Sequence, residues 1–410
     1  MYFRAEKLIL TTFLCAAPVA LHAQFDFSVD GRDVQFHSFL SQGFAFSNDN
    51  NYLTMKTSQG SFAMTDLAVN VSMPVTDKFR VGAQMYVNDL GNLGDWHPML
   101  DWAVADYKFK DWFGIRGGKV KTVLGLYNDT QDMEFLHTFA LLPQSMYPLD
   151  MRSSTIAHTG ADLYGEIPLK RLGALSYTAY VGQRKDSLYG GYPYLLENFG
   201  ISLKDYGGRV EGGDLRWKTP LKGLLAGASH MAEAITGTGT VDLSVVFGGP
   251  SGPSPYKEWS KKDQTDQFYG QYAIGNLRVD SEYRRYWRDQ EIFSGQFEVT
   301  TDVRSWYVAA AYRVSKRLEF GSYYSRFTNT WVSTVPGQVE DTPGSPDTHL
   351  YDKVATARVD LNSHWNVKVE GHFMDGWAGT MYPDGFYPRD NPQVIQPKTI
   401  MLVIRTGLNF

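Results

Sequence analysis

Two groups of charged residues carry the clearest chemical signal in this sequence. The acidic group lies in the long segment 122–157 and consists of Asp129, Asp132, Glu134 and Asp150. The basic group stands just before that segment or on other segments, and it consists of Arg80, Arg116, Lys119, Lys121, Arg358, Lys368 and Arg405. Opposite charges that face each other across a narrow aqueous passage create a transverse field, which favours small polar solutes. We predict that the two groups form the two sides of a constriction.

Segment 122–157 also has an apolar centre, Leu141-Leu142-Pro143. A segment this long and this apolar is unlike an ordinary solvated loop, so we expect it to fold inward against a charged wall. Two alternatives stay open. The segment could pack outside against neighbouring loops, and the charged residues could form salt bridges that only line the wall.

The remaining polar residues do not form a catalytic pattern. Eight histidines lie beyond residue 23, at positions 37, 97, 137, 158, 230, 349, 364 and 372. None belongs to an H-E-x-x-H, G-x-S-x-G or P-loop motif. We predict no catalytic, metal-binding or cofactor-binding residues and no enzyme, although a hydrolase built on a membrane barrel is a less favoured alternative.

Residues 1–23 have the composition of a secretory signal peptide. Arg4 and Lys7 precede an apolar run from Leu8 to Ala17, and small residues follow before Gln24. A basic, apolar and then small-residue order predicts export and cleavage. Cys15 is the only cysteine, so the predicted domain 24–410 has no disulfide or metal–thiolate site. The net charge of −5 gives no basic footprint for nucleic acid.

Beyond the signal segment, apolar and polar residues alternate with period two. In the last segment, for example, Ile400, Leu402 and Ile404 alternate with Val403 and Arg405. Such alternation predicts strands with one apolar face, as in a membrane barrel. Sixteen segments fit: 34–46, 62–73, 79–88, 100–109, 112–121, 158–167, 174–183, 207–217, 223–233, 266–274, 277–288, 302–313, 318–328, 352–361, 365–375 and 398–410.

The connections between these segments are alternately short and long. The short connections are 74–78, 110–111, 168–173, 218–222, 275–276, 314–317 and 362–364. Outer-membrane barrels have short periplasmic turns and long external loops, so the order predicts an all-β, closed antiparallel transmembrane barrel with the third loop in its lumen. Aromatic residues near segment ends suit the membrane interfaces. They are Trp102, Phe109, Trp112, Trp217, Trp287, Trp306, Tyr312 and Trp365.

Sixteen segments, an oversized third loop and a terminal Phe410 resemble bacterial general and substrate-selective porins. RGGKVKTVLGLYND (116–129) and LLPQSMY (141–147) are similar to the segment that leads into the third loop of a porin-like family of proteobacterial outer-membrane proteins. The resemblance implies an integral Gram-negative outer-membrane channel for passive diffusion of small polar solutes and ions. It also implies a homotrimer, contact with outer-membrane lipid, and recognition of Phe410 by the barrel-assembly machinery.

The sequence departs from two well-known porin patterns. It lacks the PEFGG loop motif of enterobacterial porins, and an arginine ladder like that of phosphate-selective porins is not clear. A channel selective for anions, sugars or amino acids therefore remains an alternative, as does a soluble sugar-binding β-protein. For subunit packing, Ala309-Ala310-Ala311 and the small residues of 223–232 could provide a flat outer wall, or simply face lipid.

Overall fold

The structure is a computed structural model that describes residues 26–29, 31–248, 251–336, 342, 344–378 and 385–410. The predicted signal peptide, 1–23, lies outside the described residues. No helix in the described ranges is long and apolar enough to cross a membrane.

A single sheet of antiparallel strands dominates the chain. Strands β2 to β17 each pair with the next along the chain, and β17 pairs with β2, so that sixteen strands close into a barrel. The short strand β1 pairs with the start of β2. The strands are β1 Asp26–Val29, β2 Arg32–Ser47, β3 Ser61–Thr76, β4 Phe79–Leu90, β5 Met99–Lys110, β6 Phe113–Lys121, β7 Ala157–Pro168, β8 Ala174–Lys185, β9 Ile201–Lys218, β10 Leu224–Asp242, β11 Pro253–Ile274, β12 Leu277–Ile292, β13 Phe297–Arg313, β14 Leu318–Ser333, β15 His349–Asp360, β16 Trp365–Gly376 and β17 Lys398–Asn409.

Helices are short and lie in the connections. Within the described ranges the α-helices are Gly191–Leu196 and Leu243–Phe247. The 3-10 helices are Thr57–Gln59, Asn128–Thr130, Glu134–Leu136, Leu149–Ser154, Lys170–Leu172, Glu197–Phe199, Phe293–Gly295, Pro346–Thr348 and Pro388–Asp390.

Short and long connections sort to opposite ends of the barrel, which we call the turn end and the loop end. All sixteen predicted segments are strands, but β9 to β14 continue further toward the loop end than predicted. The predicted loop 234–265 is mostly strand, and β12 and β13 are joined by only 293–296. These extensions pack Ile235, Tyr256 and Val299 into one apolar cluster on their inner side, while their outer side is polar. Because the outer side contacts water there, the membrane-type alternation is absent from the sequence.

Within the barrel wall, side chains alternate between lumen and exterior as predicted. In β17, Ile400, Leu402 and Ile404 are exposed on the outside, whereas Met401 and Val403 are buried inside. Among the predicted interface aromatics, Phe109, Trp112, Trp217, Tyr312 and Trp365 are exposed near the turn end. Trp102 is an exception, because it pairs with inward-facing Gln84 and its ring lies against Gly82. An outer face of apolar side chains requires a non-aqueous surrounding.

Candidate functional site: the loop-filled lumen

The third loop, residues 122–156, runs from the wall at β6 across the lumen to the opposite strands. Gly125 N donates to Ser229 Oγ of β10 (2.9 Å), and the Tyr127 hydroxyl donates to Asp280 of β12 (2.6 Å). Further along, Ala140 N donates to Glu370 of β16 (2.9 Å). The loop therefore contacts inward-facing side chains around much of the barrel.

Two of the loop's acids, Asp132 and Glu134, contact bases of the wall, and the first of these contacts lies close to β6. Asp132 accepts hydrogen bonds from Lys121 Nζ (2.7 Å) and from Gln84 Nε2 (2.8 Å). Arg152, from the same loop, lies 3.5 Å from Asp132 and donates to Asp101 of β5 (2.7 Å). Two carboxylates and two cations thus form a nearly dry network between loop and wall.

A second contact lies against β16 and β17. Lys368, which is fully buried, forms an ion pair with Glu134 and donates to the Glu134 and Phe139 carbonyls at 2.7 and 3.1 Å. Arg405 donates to the Ala140 carbonyl (2.8 Å) and forms an ion pair with Asp66. Buried charges are tolerated when they are paired and hydrogen-bonded in this way. The two bases therefore attach the centre of the loop to the far wall.

Backbone amides of the loop are bound by wall carboxylates. Glu370 accepts from the amides of Ala140 and Leu141, both at 2.9 Å. Glu282 of β12 accepts from Leu126 N (3.0 Å) and from the Tyr147 hydroxyl (2.6 Å). An unpaired buried amide is costly, so these carboxylates fix the path of a loop that has no strand partner.

Burial and charge shift the pKa values of the loop's acids in opposite directions. At Asp132 and Glu134 burial raises the pKa, but nearby cations (Lys121 with Arg152, and Lys368 with Arg405) and hydrogen bonds together outweigh burial and hold both pKa values below the ordinary range. At Asp129 burial prevails over the attraction of Arg216 and Lys121, so its pKa is raised. Burial also lowers the pKa of His137 to about 4. The loop therefore carries two firmly ionised acids and an imidazole that is neutral at pH 7.

Asp150 has no cationic partner of this kind among the described residues, and it instead joins the third loop to the loop between β16 and β17. Its Oδ2 accepts from the Tyr387 hydroxyl (2.6 Å) and from Gly385 N (3.2 Å). Burial raises the Asp150 pKa to about 6 despite these hydrogen bonds. We call this contact of Asp150, Gly385 and Tyr387 the loop clasp.

Three other predicted bases face the lumen nearer the turn end. Arg80 lies 3.5 Å from Asp106 and is largely exposed. The guanidinium of Arg116 lies 4.3 Å above the Tyr164 ring. Arg358 donates to the His137 carbonyl (2.7 Å) and to Asp360 (2.8 Å).

Lys119 does not line the lumen in the structure, contrary to the prediction. Strands β5 and β6 pair only as far as Ala103 and Lys119, and beyond that point they separate. The Lys119 ammonium donates to the Leu100 carbonyl (2.6 Å), on the part of β5 that no longer pairs with β6. The same separation of the strands lets the Lys121 side chain reach Asp132. In a regular strand Lys121 would face the same side as Lys119, because residues two apart share a face.

Loop residues fill the loop-end half of the barrel. Tyr52, Leu53 and Met55 of the first loop pack with Leu141 and Phe386 in one buried cluster. At the turn end, in contrast, a cavity of about 520 Å³ is lined by residues including Leu136, Arg317, Arg358 and Asn366. This cavity provides water-accessible space below the third loop.

The sequence interpretation missed Asp101 and Arg152. Asp101 sits at a β-bulge, where Gln84 pairs with Trp102 and the adjacent Met85 pairs with Leu100. A bulge shifts the side-chain alternation by one residue, so the period-two pattern misplaces Asp101. Arg152 lies in an acid-rich loop, and no pattern in the sequence links it to Asp101, which is 51 residues away and meets it only in the folded chain.

The proposed flat wall at 309–311 is also partly wrong. Ala309 and Ala311 are buried and face the lumen, since they share the inward register of Tyr307. Only Ala310 faces outward, as period-two alternation requires.

Among the described residues no cluster of three or more His, Cys, Asp or Glu could hold a metal ion.

Comparison with solved structures finds outer-membrane barrels of similar shape. Outer-membrane expressed OmpT of Vibrio cholerae has 11% identity and a TM-score of 0.58, with 94% of this chain and 100% of that chain covered. An anion-selective porin from Comamonas acidovorans has 10% identity and a TM-score of 0.54, with 92% and 100% covered. OmpF of Salmonella typhi, in complex with daunomycin, has 12% identity and a TM-score of 0.54, with 94% and 100% covered. No protein-family model and no curated protein matches the sequence. The chain therefore has the fold of the bacterial outer-membrane porins, a closed antiparallel barrel of sixteen strands.

Proposed function

We propose that this protein is an outer-membrane channel through which small polar solutes and ions diffuse, and that its third loop limits their passage. The observation that carries the proposal is a closed barrel with an apolar exterior, a charged inner wall and a loop attached across its interior. Charged side chains on the lipid side of such a wall would cost about 2–4 kcal/mol each near the midplane, whereas inside they hold water. No covalent step and no cofactor are part of this mechanism.

Placement in the membrane follows from the same fold. The similar solved structures include outer-membrane proteins and an anion-selective porin, which supports an outer-membrane location. One structure of OmpT of Vibrio cholerae is a trimer form, which supports a homotrimer. Short connections would then face the periplasm and long ones the exterior. Phe410 is hydrogen-bonded to Ser38 through both its N–H (2.8 Å) and its carbonyl (3.0 Å), at the turn end where the assembly machinery would bind the last strand.

An anion preference is the second candidate, and one observation favours it. The cavity at the turn end is lined by Lys316, Arg317 and Arg358, with Asp360 as the acid among them. A solute that leaves the third loop would pass this basic surface. Excess positive charge in a narrow passage raises the local concentration of anions.

Shortening the third loop tests the channel proposal. Removal of 136–147 should raise the single-channel conductance in a planar bilayer severalfold, because this segment carries the amides and carbonyls that join the loop to Glu370 and Arg405. The matched control removes the helix Leu243–Phe247, which has no buried residue, and should leave conductance unchanged. Equal conductance in the wild type and the 136–147 deletion would contradict a limiting third loop.

Charge reversal at Arg116 tests the ionic path. Arg116 faces inward between Asp106 and Asp162 on the neighbouring strands, so Arg116→Glu should raise the cation-to-anion permeability ratio by roughly twofold. The reversal potential under a salt gradient measures that ratio. Arg209→Glu makes the same change of charge on the outer face of β9 and should not move the potential. An unaltered potential in Arg116→Glu would place Arg116 off the path.

A further inference from the structure

The outer face of β12 to β15 repeats one pattern on four neighbouring strands. Going from the turn end, each strand presents three or four outward residues that are apolar, aromatic or small, and the next outward residue is a cation. In β12 the outward residues 277, 279, 281 and 283 lie between the turn end and Arg285. In β13, which runs the opposite way, the outward residues 312, 310, 308 and 306 lie between the turn end and Arg304. On β14 and β15 the corresponding cations are Arg326 and Lys353. The cations therefore form a row along the upper border of the apolar band.

The strand register makes these cations neighbours. Arg285 and Arg304 are directly opposite each other, and Thr328 is opposite Arg304 on the next strand. Arg326, two residues from Thr328, is opposite Tyr351, and Lys353 follows Tyr351 by two residues. Like charges directly opposite each other in a sheet are destabilising, so this arrangement calls for a counter-charge.

The described protein supplies only part of that counter-charge. Asp302 accepts from Arg285 (3.0 Å) and from Arg304 (3.2 Å). Asp266 of β11 lies directly opposite Arg285, but its carboxylate also contacts His230 (2.7 Å). Arg326 lies 4.2 Å above the Tyr351 ring and donates to its hydroxyl (2.7 Å), a neutral partner. The Arg326 Nε is buried and has no hydrogen-bond partner among the described residues. The row thus keeps an excess of positive charge.

Several outward charges on other strands, in contrast, have an opposite charge within contact distance. Arg209 pairs with Glu211 on β9, and His230 on β10 lies 2.7 Å from Asp266 on β11. We call Arg285, Arg304, Arg326 and Lys353 the basic row. It is an unbalanced patch on the membrane-facing surface, at the level where the apolar band ends.

We propose that the basic row binds the phosphate groups of a phosphorylated lipid in the outer leaflet. The inference rests on the proposed placement in the outer membrane, which puts the loop end outside and the row at headgroup depth. Guanidinium groups match phosphate oxygens with paired hydrogen bonds, and the apolar residues below the row would contact the acyl chains. Tyr351 and the guanidinium group of Arg326 lie at the level where a headgroup would sit.

The test uses purified full-length protein in detergent and diphosphorylated lipid A as the probe, with bound copies counted by native mass spectrometry. The variant Arg304→Gln/Arg326→Gln should weaken binding at least about tenfold, since it removes two charge-assisted contacts. Arg209→Gln, a matched outward arginine with its own acid, should bind like the wild type. Dephosphorylated lipid A should bind the wild type and the double variant equally.

Equal affinity of wild type and double variant for the diphosphorylated lipid would overturn the proposal. So would a loss of subunit association without a loss of lipid, which would make the row a protein contact. Lys353→Gln serves as a milder second variant if the double variant folds poorly, and its affinity should fall severalfold. Conductance measured on the same preparations separates the two proposals: a conducting channel with no phosphate-dependent binding would refute only the lipid site.

Discussion

Replacing Lys368 by Met is expected to detach the third loop from the far wall. The substitution leaves the Glu134 carboxylate buried without its cation and frees the carbonyls of Glu134 and Phe139. Breaking a buried ion pair from one side costs roughly 3–5 kcal/mol. We expect amide hydrogen exchange at Ala140 and Leu141 to accelerate by at least about a hundredfold, since 1.4 kcal/mol corresponds to a factor of ten. The free energy of unfolding should fall as well.

Two further variants isolate the pair as the cause. Lys398→Met removes an exposed lysine at the start of β17 and should leave exchange at Ala140 and Leu141 as in the wild type. Adding Glu134→Gln to Lys368→Met should recover part of the loss, because the stranded charge disappears. If exchange in Lys368→Met matched that of the wild type, the ion pair would not hold the loop, and the loop's attachment would rest on Glu370 and Arg405.

The second large effect is a pH response through the loop clasp. Burial raises the Asp150 pKa from 3.8 to about 6, so the closed clasp binds a proton more tightly than a released loop would. The clasp is therefore most stable at low pH, weakens as pH rises from about 4 to 6, and changes little above that. Between pH 5 and pH 7.5 the equilibrium should shift about tenfold toward the released state. Conductance should accordingly be higher at pH 7.5 than at pH 5.

Asp150→Asn gives the control for this response. An amide cannot ionise, so the variant should show the same conductance at both pH values, close to the acidic wild-type value. Asp49→Asn changes an exposed carboxyl in the first loop and should keep the wild-type response. A wild-type conductance that falls between pH 5 and pH 7.5 would show that release of the clasp does not open the path.

The alternation of side chains gave the barrel correctly from the sequence. In β16 and β17, Val369, Phe373, Ile400 and Leu402 face outward and are exposed, whereas Lys368, Glu370 and Arg405 face inward and are buried, so period and burial agree. Alternation is a local property, since a strand's two faces are set by adjacent residues. Strand ends were less well predicted in β9 to β14, because strands that leave the membrane lose the outward apolar signal.

The charged residues show the limit of this reasoning. The sequence placed Asp132, Glu134 and Asp150 in a loop that folds inward, but it did not identify their separate partners, Lys121, Lys368 and Tyr387. Those partners come from strands or loops up to 237 residues away. Lys119 was misplaced and Asp101 was missed because a strand separation and a bulge interrupt the period near β5.

By itself the sequence therefore determined the sixteen strands, the two faces of the wall and the position of the long loop, because each follows from the order of apolar and polar residues along the chain. Only the tertiary structure decided which acid meets which base, that the loop end of the lumen is filled, and that four outward cations lie side by side on neighbouring strands. These depend on the register between strands and on the path of a loop whose hydrogen-bond partners lie across the barrel, and neither is encoded in a local pattern.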